Sequence, residues 1–355
     1  MELCFHHQEC TVALQRKYLL SIWNMEKIET IYTFLQSNKW VLVDDPEEQI
    51  SFLASGEYNE NYHIRIAEIY GQAEYVFRIN HGSQLGLKNQ IEYEFAVLRA
   101  LSRSGVTPRP YYCDPEPEIE GLGNGVLLME YLPGRPLEYE KDWRTAASIF
   151  ATTHSQPVRQ QLIEQRNPVL DIARESKGLI HRYPEHPLTR EKDILLAYHE
   201  KVLQMAAEAE VLFANDPPVL VNTEVNSHNF IIDDESGRGW LVDWEKAVFS
   251  TRYQDLAHFL VPTTTLWKTD FRFSEKEQRQ FVATYLEAAS LDTDIDTAMR
   301  CVDIMQQTIL LRAMAWCYMA YHEYTESDRA LKNADTFTTI QKYLDEMECF
   351  FEPKT

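Results

Sequence analysis

Residues 219–247, VLVNTEVNSHNFIIDDESGRGWLVDWEKA, place two short apolar runs on either side of a glycine turn and put polar groups at both outer ends. Phe230 to Ile232 form the first run, Gly237-Arg238-Gly239 the turn, and Trp240 to Val242 the second. Such a pattern predicts a tight β-hairpin. Closing it carries Asn229, just before the first strand, to Asp243, just after the second. An amide oxygen beside a carboxylate makes a hard-cation site, suited to magnesium carried by nucleotide phosphates. Glu224 falls beside that pair, where a carboxylate can accept a hydroxyl proton or hold a nucleophile. On spacing alone, a solvent-tipped hairpin with polar ends fits equally well.

The flanking sequence fixes the context of the hairpin. Tyr62, Ile64 and Ile66 alternate with His63 and Arg65, and Tyr75-Val76-Phe77 follows a turn near Gly71, so residues 49–79 are predicted as strands. Ile91, Phe95, Leu98 and Leu101 mark a helix over 89–104. Pro108 and Pro110 predict a loop, and GVLLMEY (125–131) a short buried strand. Helical patterns then run over 142–154 and much of 171–213, and return after the hairpin, with Met305, Ile309, Trp316 and Met319 as core positions of a helix over 303–321. Residues 258–273, HFLVPTTTLWKTDFRF, make a poor helix and are predicted as an ordered loop able to hold a polar ring or amino alcohol, with Lys268 available to an anionic group. This order predicts an α+β, two-lobed architecture: a sheet-containing N-lobe over 25–131, then a mainly helical C-lobe over 132–355, joined at LPGRP. Residues 1–24 show weak periodicity and are predicted to be an N-terminal extension; MEKIETIYTFLQ, from Met25, opens a cleaner helical segment.

A formal net charge of −21 disfavours nucleic-acid and anionic-membrane partners. It suits capture of a cationic ligand as well as plain solubility. Six scattered cysteines without a CxxC pair make a disulfide framework or zinc site a poor fit, and the expected setting is a reducing cytoplasm. The most apolar long stretch, 302–321, contains Gln306, Gln307 and Arg312, as a buried helix does and a membrane span does not. No secretory signal, P-loop, GxGxxG, HExxH or GxSxG pattern is found.

Three motifs occur in order: Asn222-Thr223-Glu224 through Asn229, then Val242-Asp243-Trp244-Glu245, then Asp255-Leu256-Ala257. With LLMEYLPGRPL (127–137), Glu94 in EFAVLRAL, His154 in ATTH and the turn GEYNENY (56–62), they resemble the aminoglycoside phosphotransferase and choline kinase family, over roughly residues 50 to 260. The resemblance implies a protein-kinase-like fold that uses ATP and Mg2+ to phosphorylate a hydroxyl of a small molecule, and it sets no oligomeric state. Carried over by motif, Glu224 and Asn226 are the catalytic candidates and Asn229 and Asp243 the metal ligands. Gly56, Asn59, Arg78, Glu94, Glu130 and Tyr131 are the nucleotide-binding candidates. Local physics supports one pairing independently: Glu94 shares the apolar helix face of Val97, Leu98 and Leu101, so its carboxylate needs a partner, and Arg78 at the end of a strand is the natural one. Two positions depart from the family pattern, with Glu224 where Asp is usual and Asn222 where His is usual. Either the site is rebuilt around the longer carboxylate, or the chain is a nucleotide-binding pseudokinase or regulatory module with little transfer. Asn222, Glu224 and Asn226 fall at every second position, which predicts side chains on one side of an extended segment.

A chain beginning at Met25 is expected to keep its stability and nucleotide response. A fall of many degrees in melting temperature would show instead that Leu19, Leu20, Ile22 and Trp23 pack into the fold.

Overall fold

A computed structural model describes residues 25–56, 58–68, 71–83, 85–157, 162–214, 216–326 and 334–352, so the predicted N-terminal extension lies outside the described residues. The chain divides into two compact units: one runs up to Arg99 and includes Pro108–Tyr131, and the other comprises Ala100–Thr107 and the chain from Leu132 onward.

In the first unit, helix α1 (residues 25–38) and the single turn α2 (Pro46–Gln49) precede β1 (Ile50–Ser55), β2 (Asn59–Glu68) and β3 (Gly71–Asn80); α3 (Gln90–Leu101), β4 (Pro110–Asp114) and β5 (Val126–Glu130) follow. The five strands form an antiparallel sheet in the order β1-β2-β3-β5-β4. Ile31, Phe34 and Leu35, spaced as one helix face, bury against Tyr62, Ile64, Phe77, Ile79, Val126 and Leu128 of that sheet. The loop expected at Pro108 and Pro110 is in fact β4. Pro110 opens it, and β4 is an edge strand, the place where a residue without an N–H fits a sheet. Residues 100–107 also depart from the expected boundary, because Leu241 N donates to Val106 O at 2.9 Å and so ties them to the second unit.

The second unit holds β6 (Arg135–Pro136), α4 (Tyr139–His154), α5 (Pro168–His181), α6 (Thr189–Phe213), β7 (Val219–Val221), β8 (Phe230–Asp233), β9 (Arg238–Leu241) and β10 (Val248–Ser250). Then come α7 (Tyr253–Leu260), α8 (Pro262–Thr265), α9 (Glu275–Ala288), α10 (Ile295–Glu326), α11 (Ala334–Asp345) and α12 (Met347–Phe351). The predicted hairpin is β8–β9, with β6 on its other edge, while β7 pairs with β10. Phe150, Phe230, Phe259 and Phe281 pack ring to ring beneath it, with centroids 4.9 to 5.8 Å apart between neighbours. Helix α10 reaches well beyond the expected 303–321. At its start Asp294 Oδ2 accepts from Thr297 N at 2.9 Å, satisfying one of the free donors of the first turn. The 258–273 loop is shorter than predicted, since α7 continues to Leu260 and Pro262 nucleates α8 at the position where its fixed φ suits a helix start.

Gly134, between β5 and β6, has φ 145°, and a Cβ there would stand 2.4 Å from Ile232 O. Gly134→Ala should therefore destabilise the protein by about 2–4 kcal/mol, combining a Gly-only backbone conformation with a backbone clash. Urea denaturation should show a lower midpoint with an unchanged m value.

Candidate active site

The loop between β7 and β8 carries the catalytic candidates, and its backbone is held by one buried carboxylate. Asp255, at the start of α7 and fully buried, accepts from Asn222 N (2.8 Å) through Oδ2 and from Thr223 N (2.9 Å) through Oδ1. Thr223 has φ 70°, a left-handed conformation that a β-branched residue adopts only when its surroundings impose it. A second tie comes from the Thr223 hydroxyl, which donates to Lys246 O at 3.0 Å. His154 Nε2 lies 3.3 Å from Asp255 Oδ2, and its Nδ1 lies 3.0 Å from the Tyr285 hydroxyl. The helix-ending histidine thus supports the carboxylate that supports the loop.

Left-handed backbone at Thr223 breaks the expected every-second-residue alignment of Asn222, Glu224 and Asn226. Asn222 is buried: its Nδ2 donates to Asp243 O (2.9 Å) and Val242 O (3.3 Å), and its Oδ1 accepts from Glu224 N (3.0 Å). It therefore staples the Glu224 loop to the far end of the hairpin. Asn226 does not join Glu224 in the way the alternation implied. Its Oδ1 accepts from His228 N (3.0 Å) and caps the 3-10 turn Ser227–Asn229. Asn229 Nδ2 donates to Glu224 O (2.6 Å). Across the hairpin, Val242 N donates to Asn229 O (2.8 Å), and Asp243 follows with φ 61°. The hairpin thus brings Asn229 and Asp243 to one end.

Glu224, Asp243 and Glu245 each offer an oxygen, and these lie within 4.8 Å of one another. An all-oxygen donor set with the Asn229 amide fits a hard divalent cation such as magnesium. Sequence reasoning missed Lys246, whose Nζ pairs with Glu224 Oε1 at 2.5 Å while its side chain is 6% exposed. The available signal was a lone lysine between Glu245 and the apolar Ala247-Val248, too hydrophobic a setting for a cation without a partner. His258, one turn beyond Asp255 on α7, is the second omission. Burial pushes its imidazole down to about 4, and the charges of Arg312 and Lys246 act in the same direction.

In the first unit Arg78 Nη1 donates to Glu94 Oε1 at 2.6 Å, with side chains only 7% and 2% exposed, and Arg78 Nε donates to Asn61 Oδ1 at 3.0 Å. The other expected nucleotide contacts have local tasks. Asn59 is buried and accepts from Asn80 Nδ2 at 2.8 Å, tying β2 to β3 and not lying open on the turn. Gly56 N donates to Asn59 O at 2.8 Å and closes the β1–β2 turn, where a Cβ would meet nothing within 4 Å. Glu130 Oε2 accepts from Arg109 N at 3.1 Å, and the Tyr131 ring stacks on His63 with centroids 4.0 Å apart.

This fold and this loop-and-hairpin site define an α+β kinase-like phosphotransferase. The chain belongs to the phosphotransferase enzyme family, whose model matches residues 49–301, more than half of its length. An ethanolamine kinase from Plasmodium vivax is similar in structure with a TM-score of 0.59 at 16% identity, covering 88% of this chain and 86% of that one. A choline kinase from Streptococcus pneumoniae gives a TM-score of 0.58 at 16% identity, covering 90% and 98%. An aminoglycoside phosphotransferase solved with ADP gives 0.52 at 16% identity, covering 88% and 97%. At these identities the likeness establishes the fold. No curated protein matches the chain. Among the described residues, no helix is long and apolar enough to cross a membrane.

Replacing Asp255 by Asn keeps the shape but sets an NH2 donor against one of the two loop N–H groups. Stability should fall by about 2–4 kcal/mol, given the charged hydrogen bonds lost and the buried donor left unmatched. Amide exchange at Asn222 and Thr223 should accelerate beyond the global change. Unaltered exchange there would show that Asp255 does not hold the loop.

Proposed function

We propose that this protein transfers the γ-phosphoryl group of ATP, as its magnesium complex, to a hydroxyl of a small molecule. The observation that carries this reading is the convergence of Glu224, Asn229 and Asp243 at one end of the hairpin, on a backbone pinned by Asp255. Asp243 and the Asn229 amide oxygen would hold the metal, which supplies charge neutralisation along the phosphates. Glu224 then accepts a hydrogen bond from the acceptor hydroxyl and aims its oxygen. As the new O–P bond forms and the bond to the leaving ADP oxygen breaks, Glu224 takes the hydroxyl proton. Lys246, already at 2.5 Å from Glu224, holds that carboxylate in one rotamer and brings positive charge to the place where the transferred group carries negative charge. In the first unit, the Arg78–Glu94 pair fits the basic strand residue and helix glutamate by which kinases position nucleotide phosphates. A cytoplasmic setting is supported by the free thiols of Cys113, Cys301, Cys317 and Cys349.

Saturating ATP with magnesium should raise thermal stability, by about 2.7 kcal/mol at a hundredfold excess over Kd. Asp243→Ala should remove the magnesium-dependent part. Glu224→Gln should keep the nucleotide shift and lower transfer by about a hundredfold or more. Wild type without a shift at millimolar nucleotide would overturn the reading. A full shift with equal transfer in wild type and Glu224→Gln would take Glu224 out of the chemistry.

A further inference from the structure

We infer that Tyr285 and Arg252 are positioning residues for phosphoryl transfer, outer links of a buried hydrogen-bond chain that runs from Asp216 to the backbone of the Glu224 loop; this rests on the phosphotransferase reading above. The chain joins segments far apart in sequence. Asp216, in the turn between α6 and β7, accepts from Arg252 Nε through both oxygens, at 2.7 and 2.9 Å. Arg252, just before α7, donates from Nη1 to the Tyr285 hydroxyl of α9 at 3.4 Å. Tyr285 meets His154 Nδ1, at the end of α4, at 3.0 Å, and His154 Nε2 meets Asp255 Oδ2 at 3.3 Å. Asp255 then accepts the N–H groups of Asn222 and Thr223, directly before Glu224.

The charged ends impose one direction on every link. A guanidinium has N–H donors and no acceptor, so Arg252 can only donate to the Tyr285 oxygen. Burial pushes that hydroxyl up to about 12, so it keeps its proton, and the atom placed to receive it is His154 Nδ1. An imidazole with its lone pair at Nδ1 carries its proton on Nε2, the nitrogen that faces the Asp255 carboxylate. Reversing any link would set donor against donor or acceptor against acceptor. Arg252, Tyr285, His154 and Asp255 are all buried, so water does not relieve such a mismatch. The Tyr285 hydroxyl thus selects the tautomer that gives Asp255 its third hydrogen bond.

Two anchors hold the site, and this chain serves one of them. Asn229 and Asp243 are brought together by the hairpin ladder, where Val242 N donates to Asn229 O at 2.8 Å. Glu224 instead follows Thr223, whose left-handed backbone is held by Asp255. Loosening Asp255 therefore moves the residue that meets the acceptor hydroxyl and spares those that would hold the metal. Misplacing such a group by about 1 Å costs on the order of a hundredfold in rate, so weakened anchoring lowers turnover before it lowers nucleotide affinity.

The test compares the full chain with Tyr285→Phe, which removes one hydroxyl and keeps the ring. With 15N-labelled histidine, wild-type His154 should carry its proton on Nε2, and in Tyr285→Phe the Nδ1 resonance should move downfield as it loses its donor. Amide exchange at Asn222 and Thr223 should rise about tenfold relative to the hairpin amide of Val242, a ratio that cancels any global loss of stability. Magnesium-dependent ADP release from ATP, with water as acceptor, should fall about tenfold in kcat while KM for ATP stays within about twofold. Arg252→Gln acts on the same link, so the double variant should fall no further than the stronger single one. Thr308→Val removes an equally buried hydroxyl outside this chain and should leave the exchange ratio and kcat unchanged. A proton on His154 Nδ1, an unaltered exchange ratio in Tyr285→Phe, equal kcat, or additive losses in the double variant overturns the inference and leaves phosphotransfer standing. Exchange and tautomer decide it on their own where turnover with water is too slow to read. Absence of a nucleotide thermal shift in wild type overturns both readings.

Discussion

The site depends on one buried carboxylate. Asp255 accepts the N–H groups of two successive residues, Asn222 and Thr223, and so fixes a backbone turn that would otherwise be unfavourable for threonine. Because Asp255 is itself fully buried, its charge is tolerable only while both donors and the His154 ring stay in place. The dependence is mutual: the loop needs the carboxylate for its conformation, and the carboxylate needs the loop for its solvation. Glu224 is the next residue along, so its backbone position follows from this arrangement, while its carboxylate is fixed by Lys246. A side chain placed in this way is precise as long as the network is complete, and Phe150, which stacks on His154, packs with Phe259 and Phe281 beneath it.

Charge at the site is organised around the Glu224–Lys246 pair. An ion pair with one partner 6% and the other 26% exposed gains from a reduced dielectric while Glu224 keeps access to solvent. The Glu224 carboxylate meets Lys246 while its backbone carbonyl accepts from Asn229 Nδ2. Asn222 then does with an amide what backbone alone could not, bonding Glu224 N on one side and the carbonyls of Val242 and Asp243 on the other. Asn222 and Glu224 are thus linked through a single set of hydrogen bonds.

The hairpin and the helix faces were legible because they rest on periodicity and on turn residues. Alternation at Tyr62, Ile64 and Ile66 and the three-four spacing of Ile31, Phe34 and Leu35 are direct records of which side meets the core. Arg78 with Glu94 was legible for a different reason, since a carboxylate among apolar neighbours demands a cation. What stayed hidden depends on backbone conformation or on contacts far apart in sequence. A positive φ at Thr223 leaves no mark in residue spacing, so the alternation of Asn222, Glu224 and Asn226 misled. Likewise, Pro110 signals a break in a loop and a start in an edge strand with the same residue, and only the register against Met129 separates the two. Lys246 was lost because it follows a recognisable motif that ends one residue earlier.

Asparagine recurs through the candidate site in a structural capacity. Three asparagines fall within eight residues, Asn222, Asn226 and Asn229, and each makes a side-chain hydrogen bond to backbone. Asparagine suits this work because it offers donor and acceptor together without a charge to desolvate. In a loop that also carries Glu224 close to Asp243 and Glu245, a fourth carboxylate would add repulsion that only Lys246 and a bound cation offset. Neutral amides therefore hold the shape, while the few ionised groups are left to set the charge. That division explains why the sequence around Glu224 is rich in asparagine.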